Sequence, residues 1–337
     1  MHVAIVSCFP KSLYNSIADE AREWVSRCGS DTWTLVTSPA EAVMTLFLEQ
    51  HSHDDPLFLQ VWGEARQARR NRRKAVFLYH DVDTAFPLVA GLYPSLERRF
   101  HVAGICETWC YVTQLRENRG IQYTSPTGDE RYLYSFVGNV MTHPVRRRIV
   151  ALRDGRALLH ASESYIGDDL LTPKVEYFDC FSEAIRDSKF VLCPRGISPT
   201  SYRLLEAMKA GRVPVIVSDA WPLPHGPAWS EFSLVIPEAR VDEIPSRVRE
   251  VEAQSAAMGR AARNAWENWY SRDARFARML ERFADLARNE SRQTIKVGRV
   301  FRAIFSSRVG FTMLRKSLGH YKRHLACAAA TNAETRC

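Results

Sequence analysis

The sequence contains no apolar run near the roughly 20 residues that a bilayer-crossing helix needs, which argues against a membrane-spanning chain. Glycine and proline number only 16 each in 337 residues, which excludes collagen-like and low-complexity classes. No Cys-x-x-Cys pair occurs among the eight cysteines. Cys106 and Cys110 are four apart, but no Cys-x-x-Cys pair or set of nearby ligands at zinc spacing completes a structural zinc site. No Gly-x-Gly-x-x-Gly turn follows the first apolar run, which leads instead into Ser7-Cys8-Phe9-Pro10-Lys11-Ser12. A dehydrogenase or epimerase built on a dinucleotide site is therefore disfavoured. No basic segment precedes Val3–Val6 and Pro10 ends it, so the start reads as a first strand rather than an export signal, and the expected compartment is the cytoplasm.

What is present indicates a folded two-domain protein. Sixteen Phe, 12 Tyr and 8 Trp can close large cores, and 337 residues suit two domains better than one. The net charge of +8 is unevenly placed. After residue 290 there are ten basic residues and one acid, Glu334, while the rest of the chain is within one charge of neutral. Apolar residues such as Val300, Phe301, Ile304 and Phe305 are interleaved in this tail at helical spacing. Two readings fit: an interfacial amphipathic helix on an anionic membrane, or a helix packed back on the body. Nothing in the body supports nucleic-acid binding.

Short apolar runs alternate with helical patterns along the chain. Strands are expected at Val3–Val6, Thr32–Val36, Ala42–Leu48, Ala75–Tyr79 and either His101–Ile105 or Thr108–Val112. Helices are expected at Ser12–Cys28, with Leu13, Ile17, Ala21, Trp24 and Val25 on one face, and at Trp62–Lys74. Polar, loop-rich sequence near residue 125 marks a boundary. The pattern then restarts, with strands at Arg131–Val137, Arg156–His160, Lys189–Cys193 and Val213–Val217. Helices follow at Pro144–Leu152, Tyr177–Asp187, Ser201–Ala210, Val241–Glu252 and Met258–Asn289. The fold class is α/β, with two doubly wound parallel halves. The expected domains are 1–125, 126–289 and a basic tail, 290–337.

The informative segment is Ser188–Asp219, which reads as strand, loop, helix, strand. Ser198, Thr200 and Ser201 can cap the helix, and a helix start behind a Gly-containing loop offers free N–H groups to an anion. Arg195 and Arg203 add charge that can pair with phosphate oxygens. Glu206 lies one turn after Arg203, where a carboxylate can accept both hydroxyls of a ribose. The plainer alternative is a surface Arg203–Glu206 pair with serines that only cap.

This segment resembles the signature of the exostosin family of glycosyltransferases. The matching residues are Cys193-Pro194-Arg195-Gly196, Ser201-Tyr202-Arg203-Leu204-Leu205-Glu206-Ala207 and Gly211-Arg212-Val213-Pro214-Val215-Ile216-Val217-Ser218-Asp219. The likeness extends to Leu223-Pro224, Trp229, Ile236-Pro237, Tyr132–Asn139, His143 and Arg146, and so covers about residues 131–250. It implies a GT-B fold, with two Rossmann-like domains facing a cleft, and an inverting transfer from a nucleoside-diphosphate sugar without a bound metal or other cofactor. UDP is the carrier expected by family analogy, with GDP as the alternative. Carried over to this sequence, Glu206 holds the ribose. Arg203, Ser201, Ser198, Arg195 and Gly196 face the diphosphate, and Gly138 and Arg146 close on it from a second strand-to-helix turn. The expected partners are the sugar nucleotide, a saccharide or lipid-linked saccharide acceptor in surface-polysaccharide synthesis, and an anionic membrane surface under the tail. The resemblance suggests a bacterial, cytoplasmic form, peripheral on the inner membrane face.

Inverting transfer needs a base on the acceptor hydroxyl and charge to stabilise the leaving diphosphate. Ligands bind at the carboxyl ends of strands in parallel sheets, which nominates His80, Asp81 and Asp83 after Ala75–Tyr79 as the base, with Glu107 as a further candidate. Asp81-Val82-Asp83 also matches an Asp-x-Asp metal pattern, so a metal-dependent nucleotide-sugar enzyme is one alternative. A phosphorylase on a similar frame and a non-catalytic nucleotide- or saccharide-binding protein are the others.

Overall fold

The computed structural model describes residues 1–8, 16–28, 32–50, 58–72, 75–112, 118, 120–162, 175–288, 297–306 and 315. The chain divides into two compact units, Met1–Leu115 with Phe276–Cys337, and Arg116–Arg275. The linker expected near 125 thus falls inside the second unit, and the last part of the expected second domain returns to the first.

In chain order the first unit begins with β1 (His2–Val6), α1 (Ile17–Cys28), β2 (Thr34–Leu35), β3 (Met44–Gln50), α2 (Phe58–Arg72), β4 (Ala75–Asp81), β5 (Gly91–Tyr93) and β6 (Cys106–Thr108). The second contains β7 (Tyr132–Asn139), α3 (Pro144–Val150), β8 (Ala157–Ser162), α4 (Val175–Arg186), β9 (Ser188–Pro194), α5 (Tyr202–Ala210), β10 (Val213–Val217), α6 (Trp229–Phe232), β11 (Leu234–Val235), α7 (Ile244–Glu250) and α8 (Ser255–Trp269). Two further helices follow, α9 (Ala274–Arg288) and α10 (Val297–Ser306).

The first unit is built on a six-stranded sheet in the order β2-β1-β3-β4-β5-β6, with every pair parallel. Every residue of β3 is buried, as expected of a strand covered on both faces. The expected apolar face of α1 is buried through Ile17, Ala21, Trp24 and Val25; Leu13 lies outside the described residues. β5 was not anticipated, being only three residues long and opening on a glycine. Gly91 makes it possible, because a Cβ there would sit 1.8 Å from the Leu78 carbonyl oxygen of β4. The final strand of this half is β6, between the two runs considered for it.

α10 packs on this unit. Val300, Ala303 and Ile304 are buried in a core with Val61 and Ala65 of α2, and Phe301 meets Trp62 edge-on at 5.6 Å. Its outer side carries Arg299, Arg302 and Phe305, the last 59% exposed. The packed-back reading therefore holds for 297–306, while the tail beyond Ser306 is outside the described residues except Arg315.

The second unit is a five-stranded parallel sheet in the order β11-β10-β9-β7-β8. Leu133, Phe136, Phe190, Leu192, Val213, Val215 and Val217 form its core with helix residues Val145, Ile149, Val248 and Met258. Gly211 terminates α5 in the left-handed conformation at φ 76°, donating to Ala207 and Met208. The buried Arg212 that follows donates to the carbonyls of Arg186, Thr124, Ala210 and Gly211, tying the segment around 124 to this unit. The long helix expected from Met258 to Asn289 is two helices, α8 and α9, interrupted at Tyr270–Asp273. Among the described residues no helix is long and apolar enough to cross a membrane.

Candidate functional site

Strand order reverses between β7 and β9 in the second sheet, because β8 lies on one side of β7 and β9 on the other. The crevice at the carboxyl ends of such strands is where ligands bind in open parallel sheets. The sequence places Gly138 and Asn139 at the end of β7 and Pro194, Arg195 and Gly196 at the end of β9. α5 starts behind that loop.

The loop after β9 is fixed from within. The Gly196 N–H donates to the Ser198 carbonyl at 3.1 Å, and the Ser198 Oγ accepts from the Thr200 N–H at 3.3 Å. Ser201 caps α5, accepting from the Arg203 N–H at 3.3 Å. Ser198 and Ser201 thus act here as turn and cap residues.

Arg203 reaches across the reversal. Its Nη2 donates to the Val137 carbonyl of β7 at 3.2 Å, its Nη1 lies 3.3 Å from Glu206 Oε2, and its guanidinium sits 4.2 Å from the Phe181 ring centre of α4. The side chains of Arg203 and Glu206 are 17% and 19% exposed, so this is no solvated surface pair. Both remain accessible enough to meet a ligand.

Arg146 departs from expectation. Its Nε donates to the Arg195 carbonyl at 2.8 Å, Nη1 to the Asn139 carbonyl at 3.1 Å and Nη2 to the Pro194 carbonyl at 3.1 Å. A guanidinium engaged with three main-chain oxygens acts as a strap joining the ends of β7 and β9, rather than as a group aimed at phosphate. Gly196 lies against it, since a Cβ there would come 3.0 Å from Arg146 Nη2. Gly138 is likewise confined, by the Phe136 ring at 2.9 Å from where its Cβ would be.

Arg195 is turned otherwise. Its Nη1 lies 3.8 Å from Glu238 Oε1, while its buried Nε–H has no acceptor among the described residues. Glu238 also stands 3.8 Å from His143 Nε2. His143 Nδ1 accepts from the Val145 N–H at 3.3 Å, which leaves the neutral ring's proton on Nε2. Burial, and then the Arg195 charge, lower the His143 pKa, so the ring is neutral at pH 7. The Cys193 thiol is pushed well up by burial and stays protonated, so it is no nucleophile.

In the first unit the proposed base residues are placed differently from expectation. β4 continues through His80 and Asp81, whose side chains are 3% and 2% exposed. Tyr79 hydroxyl lies 3.3 Å from Asp81 Oδ2. Asp83 follows the strand, half-buried, and accepts from the Tyr111 hydroxyl at 3.4 Å. Asp83 is thus the accessible member of the three. Among the described residues no three His, Cys, Asp or Glu side chains cluster as a metal site. Glu107 is committed elsewhere: it accepts from Arg282 Nε at 2.8 Å and Nη2 at 2.7 Å, and from the Gly104 N–H at 2.7 Å. It serves as an anchor for α9.

Two carboxylates at strand ends escaped the sequence reading. Glu238 follows the Ile236-Pro237 pair and carries no pattern of its own. Glu49, fully buried at the corresponding reversal between β1 and β3, accepts from the Ser7 hydroxyl at 2.9 Å and the Cys8 N–H at 2.6 Å. Its position inside an apolar strand, MTLFLEQ, was the available signal.

The Exostosin GT47 domain model matches residues 9–251, more than two thirds of the chain. The chain belongs to the exostosin GT47 family of glycosyltransferases. The match reaches well into the N-terminal half, where no motif had been recognised. Exostosin-1 of Drosophila melanogaster is 25% identical over 167 residues, covering 44% of this chain and 22% of that protein. Exostosin-1b of Danio rerio is 33% identical over 94 residues, covering 27% of this chain and 13% of that protein. This exostosin chain therefore spans less than a quarter of the length of those curated relatives. Among solved structures, the lipopolysaccharide outer core galactosyltransferase WaaB aligns over 86% of this chain and 100% of its own, at 9% identity and a TM-score of 0.46. Anabaena HepE in complex with UDP and glucose aligns over 83% and 98%, at 9% identity and a TM-score of 0.42. Likenesses this loose carry nothing about ligands.

Proposed function

We propose that this exostosin-family chain transfers a sugar from a nucleoside-diphosphate sugar, a UDP-sugar in the first instance, to a saccharide or lipid-linked saccharide acceptor, with inversion and without a bound metal. The observation that carries this reading is the convergence of Arg195, Arg203, Glu206 and the start of α5 on the strand-order reversal of the second sheet. Glu206 accepts from the ribose hydroxyls. The Arg195 and Arg203 guanidinium groups take the diphosphate, with the positive end of the α5 dipole behind them. These groups stabilise the negative charge that grows on the leaving diphosphate as the glycosidic bond breaks. The base that removes the acceptor hydroxyl proton is assigned to the His80–Asp83 segment, with Asp83 its accessible carboxylate.

A membrane-surface setting is part of the proposal. It rests on the outward Arg299, Arg302 and Phe305 of α10 and on the basic sequence that follows, a combination that suits anionic lipid headgroups.

Thermal shifts with UDP, GDP, CMP and ADP, each with Mg²⁺ or with EDTA, test the donor reading, because a ligand of the native state raises the melting temperature by mass action. The expected result is a shift with one nucleoside diphosphate that EDTA does not remove. A shift that requires the metal transfers the weight to Asp81 and Asp83. No shift with any nucleotide removes the donor reading.

A further inference from the structure

Glu238 joins the carboxyl ends of β9, β10 and β11 through one carboxylate. Its own N–H donates to Asp219 Oδ1 at 3.1 Å, and its Oε1 accepts from the Asp219 N–H at 3.0 Å. Arg148 of α3 holds the same turn from the other side, donating to the Glu238 carbonyl at 2.8 Å and the Ala239 carbonyl at 3.1 Å. The carboxylate is therefore fixed before any ligand arrives. Held in this way, it stands 3.8 Å from Arg195 Nη1 and 3.8 Å from His143 Nε2. The three side chains are 17–25% exposed, so water screens them only partly.

We propose that Glu238 is the positioning residue for Arg195 in diphosphate recognition; the inference rests on the donor site described above. An arginine side chain has many rotamers, and much of that freedom is lost when it grips an anion. A carboxylate pinned by main-chain bonds removes part of that loss in advance by orienting the guanidinium. The contact is long enough to leave the arginine available. Nη1 faces Glu238 at 3.8 Å rather than in a tight fork, so the partly exposed guanidinium keeps donors for a phosphate oxygen. The reciprocal Asp219–Glu238 bonds already secure the turn, so the attraction toward Arg195 is not needed to close the sheet.

The sign of the effect separates positioning from mere proximity. A carboxylate near a diphosphate repels it, so a bystander's removal tightens binding. A positioning carboxylate's removal weakens it. The experiment is calorimetric titration of UDP, GDP and their nucleosides into wild type, Glu238→Ala, Glu238→Gln, Arg195→Ala and the Arg195→Ala/Glu238→Ala double variant, with melting temperatures recorded. Glu238→Ala is expected to bind the preferred diphosphate about tenfold more weakly, with nucleoside affinity unchanged. Glu238→Gln keeps an acceptor for the Asp219 N–H, and so the turn, and falls between Glu238→Ala and wild type. The double variant is expected to bind no more weakly than Arg195→Ala alone, since the two residues act as one unit. Unchanged or tighter diphosphate binding by both Glu238 variants overturns the proposal, as does an additive double variant. If Arg195→Ala binds like wild type while Glu206→Ala does not, Arg195 has no role with the diphosphate and the proposal fails with the nucleotide site intact. If wild type binds no nucleotide, the donor site fails and the positioning role falls with it.

Discussion

The Arg146 Nε donates to the main-chain carbonyl of Arg195, 49 residues away, at 2.8 Å. Together with the bonds to Asn139 and Pro194, this makes the backbone of the loop after β9 depend on one side chain of α3. Lysine cannot reproduce a planar fork. Arg146→Lys is expected to lower the melting temperature and weaken nucleoside-diphosphate binding together, because the loop that presents Arg195 loosens. Gly196→Ala should do likewise, since its Cβ meets Arg146 Nη2 at 3.0 Å. Calorimetric titration beside thermal denaturation checks both. Loss of diphosphate affinity in Arg146→Lys with an unchanged melting temperature would restore the direct phosphate role expected of Arg146.

Glu206 offers the opposite separation. Its pair with Arg203 is a single i, i+3 contact at 3.3 Å on one helix, so removing it should change stability by about 1 kcal/mol at most. Arg203 stays in place through the Val137 carbonyl and the Phe181 ring. Two ribose hydroxyls bonded to one carboxylate are worth roughly 1.5–3 kcal/mol each. Glu206→Ala is accordingly expected to weaken UDP at least tenfold in calorimetric titration while leaving the urea midpoint almost unchanged. Equal UDP affinity would dismiss the ribose assignment.

The alternation of buried strands and amphipathic helices was readable because parallel strands covered on both faces become largely apolar runs, as Met44–Leu48 and Val213–Val217 are. The strand–loop–helix segment after β9 was readable because Pro194, Gly196 and Ser201 stand at fixed offsets along one chain segment. What eluded the sequence has a common cause, which is long-range closure. Gly91 builds β5 by approaching Leu78, Arg146 commits its guanidinium to carbonyls 49 and 48 residues away, and Glu238 meets Arg195 across 43 positions. No local pattern encodes such pairings. The helix break at Tyr270–Asp273 was lost for another reason, since the apolar periodicity resumes in phase soon after it and the sequence reads as one helix.

Glu107 illustrates how a carboxylate at a strand end can be structural. Both its oxygens are taken by Arg282, and the pair is largely buried. Arg282→Ala would strand the charge, at a loss of about 3–5 kcal/mol, measurable by denaturant unfolding. Asp83→Asn should instead leave stability and UDP affinity near wild type and reduce turnover at least a hundredfold, as loss of a general base does. The pair of variants thus distinguishes anchor from base: a folded Glu107→Gln enzyme with the turnover loss assigned to Asp83 would reverse the assignment.

Acid sensitivity has a defined contributor in the second unit. Hydrogen bonds from Arg156 and Lys189 lower the Glu252 pKa to about 2. A carboxylate depressed in the folded state contributes stability that is fully present above its unfolded value of roughly 4.3 and is lost as pH falls toward the folded value. Glu252→Gln is expected to be less stable than wild type at pH 7 and to show a shallower fall in stability from pH 4.5 to 2.5. Parallel pH–stability curves for the two proteins would remove Glu252 from the account.

The C-terminal region needs two truncations to be understood. Ending the chain after Asn289 deletes α10 and uncovers the core that Val300, Ala303 and Ile304 complete with Val61 and Ala65. At roughly 1.5–3 kcal/mol for burial of each large aliphatic side chain, that variant should be markedly destabilised, and its behaviour would say nothing about membranes. Ending after Ser306 keeps the packed helix and removes Arg308, Arg315, Lys316, Lys322, Arg323 and Arg336, six of the ten basic residues of the tail. Basic residues near an anionic surface contribute about 1 kcal/mol each, in a salt-dependent way. The shorter truncation is expected to melt like wild type, to keep its UDP affinity and to bind phosphatidylglycerol vesicles more weakly. Arg299→Glu with Arg302→Glu on that background should abolish the remainder, because the outward face of α10 then repels the surface. Co-sedimentation at low and high salt reads the difference. Equal vesicle binding by wild type and the Ser306 truncation with both substitutions would leave the tail without a membrane role.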